Sequence, residues 1–131
     1  ASTVDIVKLN LGNGSADTDF NYSWHQLYGS GSVAGAAAAA STSTIELPVI
    51  SAASATANIF GALVIDILDY QNSNKYKTVR VLAGADLNGG GELDFSSGNW
   101  RSFNSVNVVS LAPRTGTLFE IYSSFALYGV K

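Results

Sequence analysis

Hydrophobic and polar positions in this chain alternate with the two-residue period of β-strands. Over residues 3–11, Asp5, Val7, Leu9 and Leu11 fall on one side and Val4, Ile6, Lys8 and Asn10 on the other, before Gly12-Asn13-Gly14-Ser15 turns the chain. Over residues 19–29, Phe20, Tyr22, Trp24, Gln26 and Tyr28 alternate with Asn21, Ser23, His25 and Leu27. Aromatics at every second residue suit a pleated, half-buried surface. Residues 42–47 predict a third strand, stopped by Pro48, which has no amide to donate to a ladder. Residues 57–70 predict a fourth, rich in β-branched residues and apolar on both faces. Such a strand is covered on both sides, by the core or by a partner chain.

Further strands follow at short intervals. Gln71-Asn72-Ser73-Asn74 turns into a strand over residues 76–83, with Val79, Val81 and Ala83 on one face. Asn88-Gly89-Gly90-Gly91 is a strong hairpin signal, because these residues reach positive φ cheaply. Residues 92–96 return, Ser97-Gly98-Asn99 turns again before Trp100, and residues 106–111 and 118–130 complete the series. The tract 31–43 is made almost wholly of small residues, with Ala36 to Ala40 unbroken. Five alanines flanked by Gly and Ser are far shorter than the roughly 12–15 residues an isolated helix needs, so the tract reads as a long loop, either mobile or lying flat against a neighbour. The sum is one domain over residues 1–131: an all-β, antiparallel β-sandwich, jelly-roll-like, of about eight strands.

Composition narrows the function classes. Charged residues make up 13% of the chain, about half the usual share of roughly 25%, and the net charge is −3. A nucleic-acid partner would require a basic surplus, and seven Lys and Arg spread along the chain form no phosphate-tracking stripe. The longest apolar run, 59–68, is interrupted by Asp66 and is about half the ~20 residues of a spanning helix, so no membrane partner is expected. The first residues lack the basic and apolar blocks of a signal peptide. With no cysteine there is no disulfide framework and no thiolate chemistry.

Candidate chemistry is sparse. The one histidine, His25, lies on a polar strand face without an activated serine or an orienting carboxylate nearby in sequence. Residues 86–94 place Asp86, Asn88, Gly91 and Asp94 at calcium-loop spacing. Position twelve, however, is Ser97 where a bidentate Glu belongs, so a hairpin turn is the expectation. Asp66 and Asp69 fall on opposite faces of a strand and cannot act as an acid/base pair, and Arg80 or Lys77 is the expected partner of Asp66. Tyr22, Trp24, Tyr28 and Trp100 suit either core packing or a platform on which sugar rings stack. No enzyme activity, cofactor or metal is expected.

Several blocks resemble a family of small tailed-bacteriophage virion proteins. They are Asn21-Tyr22-Ser23-Trp24-His25-Gln26-Leu27-Tyr28-Gly29, Ala57-Asn58-Ile59-Phe60-Gly61, Ile65-Asp66-Ile67-Leu68-Asp69-Tyr70 and Asn74-Lys75-Tyr76-Lys77-Thr78-Val79-Arg80. Ser97-Gly98-Asn99-Trp100 and the ending Tyr122-Ser123-Ser124-Phe125-Ala126-Leu127-Tyr128-Gly129-Val130 are similar to it as well. The resemblance implies a jelly-roll domain on the virion, either on the outer surface of the capsid or on the tail, without catalysis. It also implies strand sequence ahead of residues 4–11, whose absence here would leave an open sandwich edge. The leading expectation is a capsid decoration (cement) protein, a homotrimer that clamps major capsid protein subunits. Its contacts are expected at Val4 and Ile6 in the first strand, Val33 in the 31–43 loop, and Phe60, Leu63 and Ile65. The alternative is a tail or fibre receptor-binding module that stacks host glycans on Tyr22, Trp24, Tyr28 or Trp100.

Overall fold

Alternation along the strands becomes burial between two sheets. The computed structural model describes residues 2–130. Its strands are β1 (Val4–Asn13), β2 (Ser15–Ala16), β3 (Tyr22–Gly29), β4 (Ala34–Thr42), β5 (Ile45–Ser51), β6 (Ala62–Leu68), β7 (Lys77–Asp86), β8 (Gly91–Trp100) and β9 (Val108–Pro113). In the first sheet β1 lies between β5 and β9, with the two-residue β2 against its end; the second runs β4-β3-β8-β7-β6. All pairings are antiparallel, and the two sheets pack as a β-sandwich, as expected. Val7, Leu9 and Leu11 of β1 and Ile45 and Leu47 of β5 meet Tyr22, Trp24, Val79, Val81 and Trp100 of the second sheet in one buried cluster. Each such side chain contributes about 1.5–3 kcal/mol by leaving water.

One end of the sandwich is closed by a row of large side chains. Register sets Tyr22 opposite Trp100 and Trp100 opposite Lys77, and all three are buried. The Tyr22 and Trp100 rings stack at 6.4 Å, and Lys77 Nζ lies 6.0 Å from the Trp100 ring centre. Each polar tip finds partners. The Tyr22 hydroxyl accepts from the Leu11 amide (3.1 Å) and lies 2.9 Å from the carbonyl oxygens of Leu11 and Asp17. Lys77 Nζ donates to the carbonyls of Asn72 (2.7 Å), Lys75 (2.9 Å) and Ser102 (3.3 Å). Burial pushes the Lys77 ammonium below the ordinary lysine value, against the pull of the Asp69 carboxylate.

The Trp100 indole donates to Asp17 Oδ2 at 2.7 Å. The same carboxylate accepts from Asn21 Nδ2 (2.8 Å) and the Asp19 amide (2.9 Å). Burial raises the Asp17 carboxyl, but the hydrogen bonds from Asn21, the Asp19 amide and Trp100 outweigh it and hold the group below the ordinary aspartate value. Asp17 therefore fixes the crossover from β2 in the first sheet to β3 in the second.

Several elements differ from expectation. The tract 31–43 is no loop: residues 34–42 are β4, paired along the whole of β3. Alanine is a poor strand former alone, but a preformed aromatic partner strand supplies the ladder, and tertiary pairing overrides propensity. A side chain at Gly35 would collide with the Tyr28 ring, so the small residues let β4 approach closely. At Ser41, φ is 54° and the β3–β4 register shifts, a bulge that turns the chain towards the first sheet. Pro48 does not end its strand; β5 runs through it where the β1–β5 register shifts between Ile6 and Lys8, and the missing amide costs no ladder bond. Ser97-Gly98-Asn99 is strand and not turn, since β8 continues to Trp100. Residues 57–61 lie outside β6; β1 is paired by β5 from Val4 to Leu9 and by β9 from Val7 to Gly12, and the five-stranded sheet ends in free edges at β4 and β6. Residues 118–130 form no strand, for no neighbouring edge pairs with them.

Two outcomes follow from this packing. A Cβ at Gly98 would stand 2.7 Å from two carbons of the buried Ile45, so Gly98→Ala should cost about 1–3 kcal/mol in chemical denaturation. A cost within experimental error of zero would show that the sheets are not this close. Asp17→Ala strands the Trp100 and Asn21 donors and should cost about 2–4 kcal/mol at neutral pH. Because the native carboxyl is held low, its contribution is complete above the unfolded aspartate pKa of about 4 and fades as pH falls through the native value. The difference between wild type and variant should therefore shrink on acidification; a pH-independent difference would count against the carboxylate.

Candidate functional site

The inner faces of the two sheets satisfy each other, which leaves outer faces, free edges and the segments outside the sheets. The outer face of the second sheet carries an unexpected row. Register places Val64 opposite Leu82, Leu82 opposite Phe95, Phe95 opposite Leu27 and Leu27 opposite Ala36. The four large members are 65%, 52%, 53% and 61% exposed in that order. Five strands at ~4.8 Å spacing make the row about 19 Å long. Leu93, 63% exposed, extends it in the next row, among Ala62, Gly84, Gly29 and Ala34. Cross-strand apolar pairs stabilise a sheet by only about 0.2–1 kcal/mol each. Together these side chains expose on the order of 500 Å² of apolar surface, at the upper end for a free monomer.

The opposite half of that face is polar. Beside the apolar row stand Asp66, Arg80, Ser97 and His25 in register. Asp66 Oδ2 accepts from Arg80 Nη2 at 2.8 Å and Nε at 3.1 Å, so Arg80 is its partner, while Lys77 lies buried on the other face. The pair is exposed and adds at most about 1 kcal/mol. His25 is exposed, with Ser97 and Ala38 opposite it and no carboxylate among its register partners.

At the end of β6 an open groove of about 750 Å³ is lined by residues 65–72, Arg80, Tyr128 and Val130. The segment that supplies Tyr128 and Val130 is itself exposed: Leu118, Ile121, Tyr122, Leu127, Tyr128 and Val130 are 79–86% accessible. Phe119 alone packs against the core, edge-on to Phe125 with centroids 5.1 Å apart.

The expected contact residues divide. Val33, in the turn between β3 and β4, and Phe60, just before β6, are exposed at 61% and 50%. Leu63 and Ile65 point inward and pack against the core, because the pleat gives the outward positions to Val64 and Asp66. Val4 and Ile6 are half-buried on an interior strand. Of the proposed sugar platform, Tyr22, Trp24 and Trp100 are core residues and Tyr28 is half-buried over Gly35, so no open aromatic face is formed. The Trp24 Nε1 is buried without a hydrogen-bond partner, which places even its polar edge inside. The apolar row went unpredicted because it exists only across strands. Its trace is nonetheless visible, since Leu27 follows Ser23 and His25 on the polar side of the alternation and Phe95 precedes Ser97 and Asn99.

Residues 86–94 form the β7–β8 hairpin. Asn88, Gly89 and Gly91 have φ of 59°, 108° and 114°, and Asp86 Oδ1 accepts from the Asn88 amide at 2.8 Å. Among the described residues no group of three or more acidic or imidazole side chains is placed to hold a metal. Beyond the turn, Glu92 and Asp94 share the inner face of β8. Asp94 is buried, accepts from Gln26 Nε2, and its other oxygen lies 3.4 Å from the Val49 amide. Burial, then the Asp94 charge and the hydrogen bond between the two carboxyls, push Glu92 above the ordinary glutamate value. Holding two carboxyls side by side is a cost of closing the sandwich at this end.

Comparison with protein-family models, with curated proteins and with solved structures gives no match.

The Glu92 carboxyl also yields a pH test. A raised native pKa favours the protonated acid, so ionised Glu92 weakens the fold once pH rises past the unfolded glutamate value of about 4.3. Glu92→Gln should melt at a higher temperature than wild type at pH 7, with the gain vanishing towards pH 4. An equal or lower melting temperature at pH 7 would count against a raised Glu92 carboxyl.

Proposed function

We propose that this chain is a structural protein of a tailed-bacteriophage virion, a decoration (cement) protein that binds major capsid subunits on the outer surface of the head. The observation that carries the binding role is the apolar row Val64, Leu82, Phe95 and Leu27, which the fold builds across four strands and leaves uncovered. The nature of the assembly comes from the sequence blocks that resemble small virion proteins. A chain with 13% charged residues and an apolar outer face gains from closure into an oligomer, for which a homotrimer is the proposed form. The row gives the area and the polar half gives a rim, which is the usual anatomy of a protein interface. The glycan-binding alternative gains no support from aromatics that stand in the core.

Phe95→Asp and Leu27→Asp alter exposed positions, so each should change stability by no more than about 1 kcal/mol. Each should weaken binding to empty capsid shells by about tenfold or more, read by co-sedimentation. If wild type leaves the shells unbound, or Phe95→Asp binds as well as wild type, the proposal fails.

A further inference from the structure

We infer that residues 118–130 are an exchange arm, and that the arm of one copy adds as a sixth strand to the free edge of β6 in a second copy. This deepens the oligomeric part of the proposed function and rests on the chain being a subunit, whatever the larger assembly. The arm has the alternation of a strand but pairs with no strand of its own chain. Ile121, Phe125 and Leu127 fall on one side and Leu118, Tyr122 and Tyr128 on the other, so it is apolar on both faces.

β6 is the complementary surface. It pairs with β7 alone and ends the five-stranded sheet, leaving one row of backbone donors and acceptors unpaired. Sheet edges are normally blunted by lysine, proline or a bulge. Between Ala62 and Leu68 there is none of these, and the one charge, Asp66, is engaged by Arg80. A strand added here needs apolar residues on both faces. One side would cover the half-buried Leu63, Ile65 and Ile67, and the other would prolong the Val64–Leu82–Phe95 row. The arm has this composition, and Tyr128 and Val130 already line the groove at the end of β6.

The area is sufficient. Six large side chains near 80% exposure represent on the order of 600–700 Å² per arm, and an equal loss on the receiving copy reaches the roughly 1,200–2,000 Å² of stable interfaces. Passing an arm from each copy to the next closes a ring without a new fold.

The native chain has no cysteine, so introduced thiols report without background. Ala126→Cys on the arm and Ala62→Cys on β6 are both exposed. Mixed and oxidised, the two single variants should form disulfide-linked pairs containing one of each, with Ser124→Cys testing the neighbouring register. Leu127→Asp and Tyr122→Asp should each raise the dissociation constant of self-association by at least about tenfold in analytical ultracentrifugation, with a circular dichroism spectrum like that of wild type. The inference is overturned if wild type sediments as a monomer at about 100 μM, where any dimer with a Kd of about 10 μM or tighter is mostly associated. It is equally overturned if association is indifferent to both aspartates, or if the thiols link only within one doubly substituted chain. Self-association through the arm without binding to shells would sink the capsid proposal and leave this one standing.

Discussion

The structure depends on the row in which Tyr22, Trp100 and Lys77 stand side by side across β3, β8 and β7. All three are long side chains with an apolar body and a polar tip, and all three tips are satisfied by groups outside the row. A tip left without a partner here would cost about 1–3 kcal/mol and offset much of what burying the ring or stem contributes. Asp17 is the decisive partner, because it is held by the crossover and receives Trp100 from the other sheet. The two sheets are thereby locked together at one end.

With the interior closed in this way, the outer row and residues 118–130 contribute little to folding. The row is half exposed and Phe119 is the one residue of the following segment that reaches the core. Their apolar character is therefore not explained by the needs of the fold. The two surfaces have different geometry, one a flat sheet face and the other a strand-like segment with a free edge to receive it.

The fold class was legible because burial on one face imposes a period of two, and Val7, Leu9, Leu11, Val79 and Val81 obey it. The hairpin at Asn88 to Gly91 was legible from its tolerance of positive φ. What escaped was decided by partners distant in sequence. Ala36 to Ala40 form a strand only because β3 lies beside them, and Gly98 is a strand residue because Ile45 needs the space. Residues 118–130 carry every local mark of a strand but lack a ladder partner in the chain. The inward turn of Leu63 and Ile65 follows from the same pleat that sends Val64 out, and nothing in so evenly apolar a stretch says which set faces the core. For the candidate surface, single residues on the polar side of their strands were visible, but their alignment into one row required the register of four strands.

The Asp66–Arg80 pair sets a direction on the outer face. It lies one register step from Val64 and Leu82, on the side away from Leu93. A partner laid along the apolar row in one orientation leaves both charges at the wet margin. Turned through half a circle, the same partner would press its apolar half onto the ions and strip their water without replacing it, a penalty of several kcal/mol. An ion pair that adds almost nothing to stability would therefore determine which way round any partner on this face could lie.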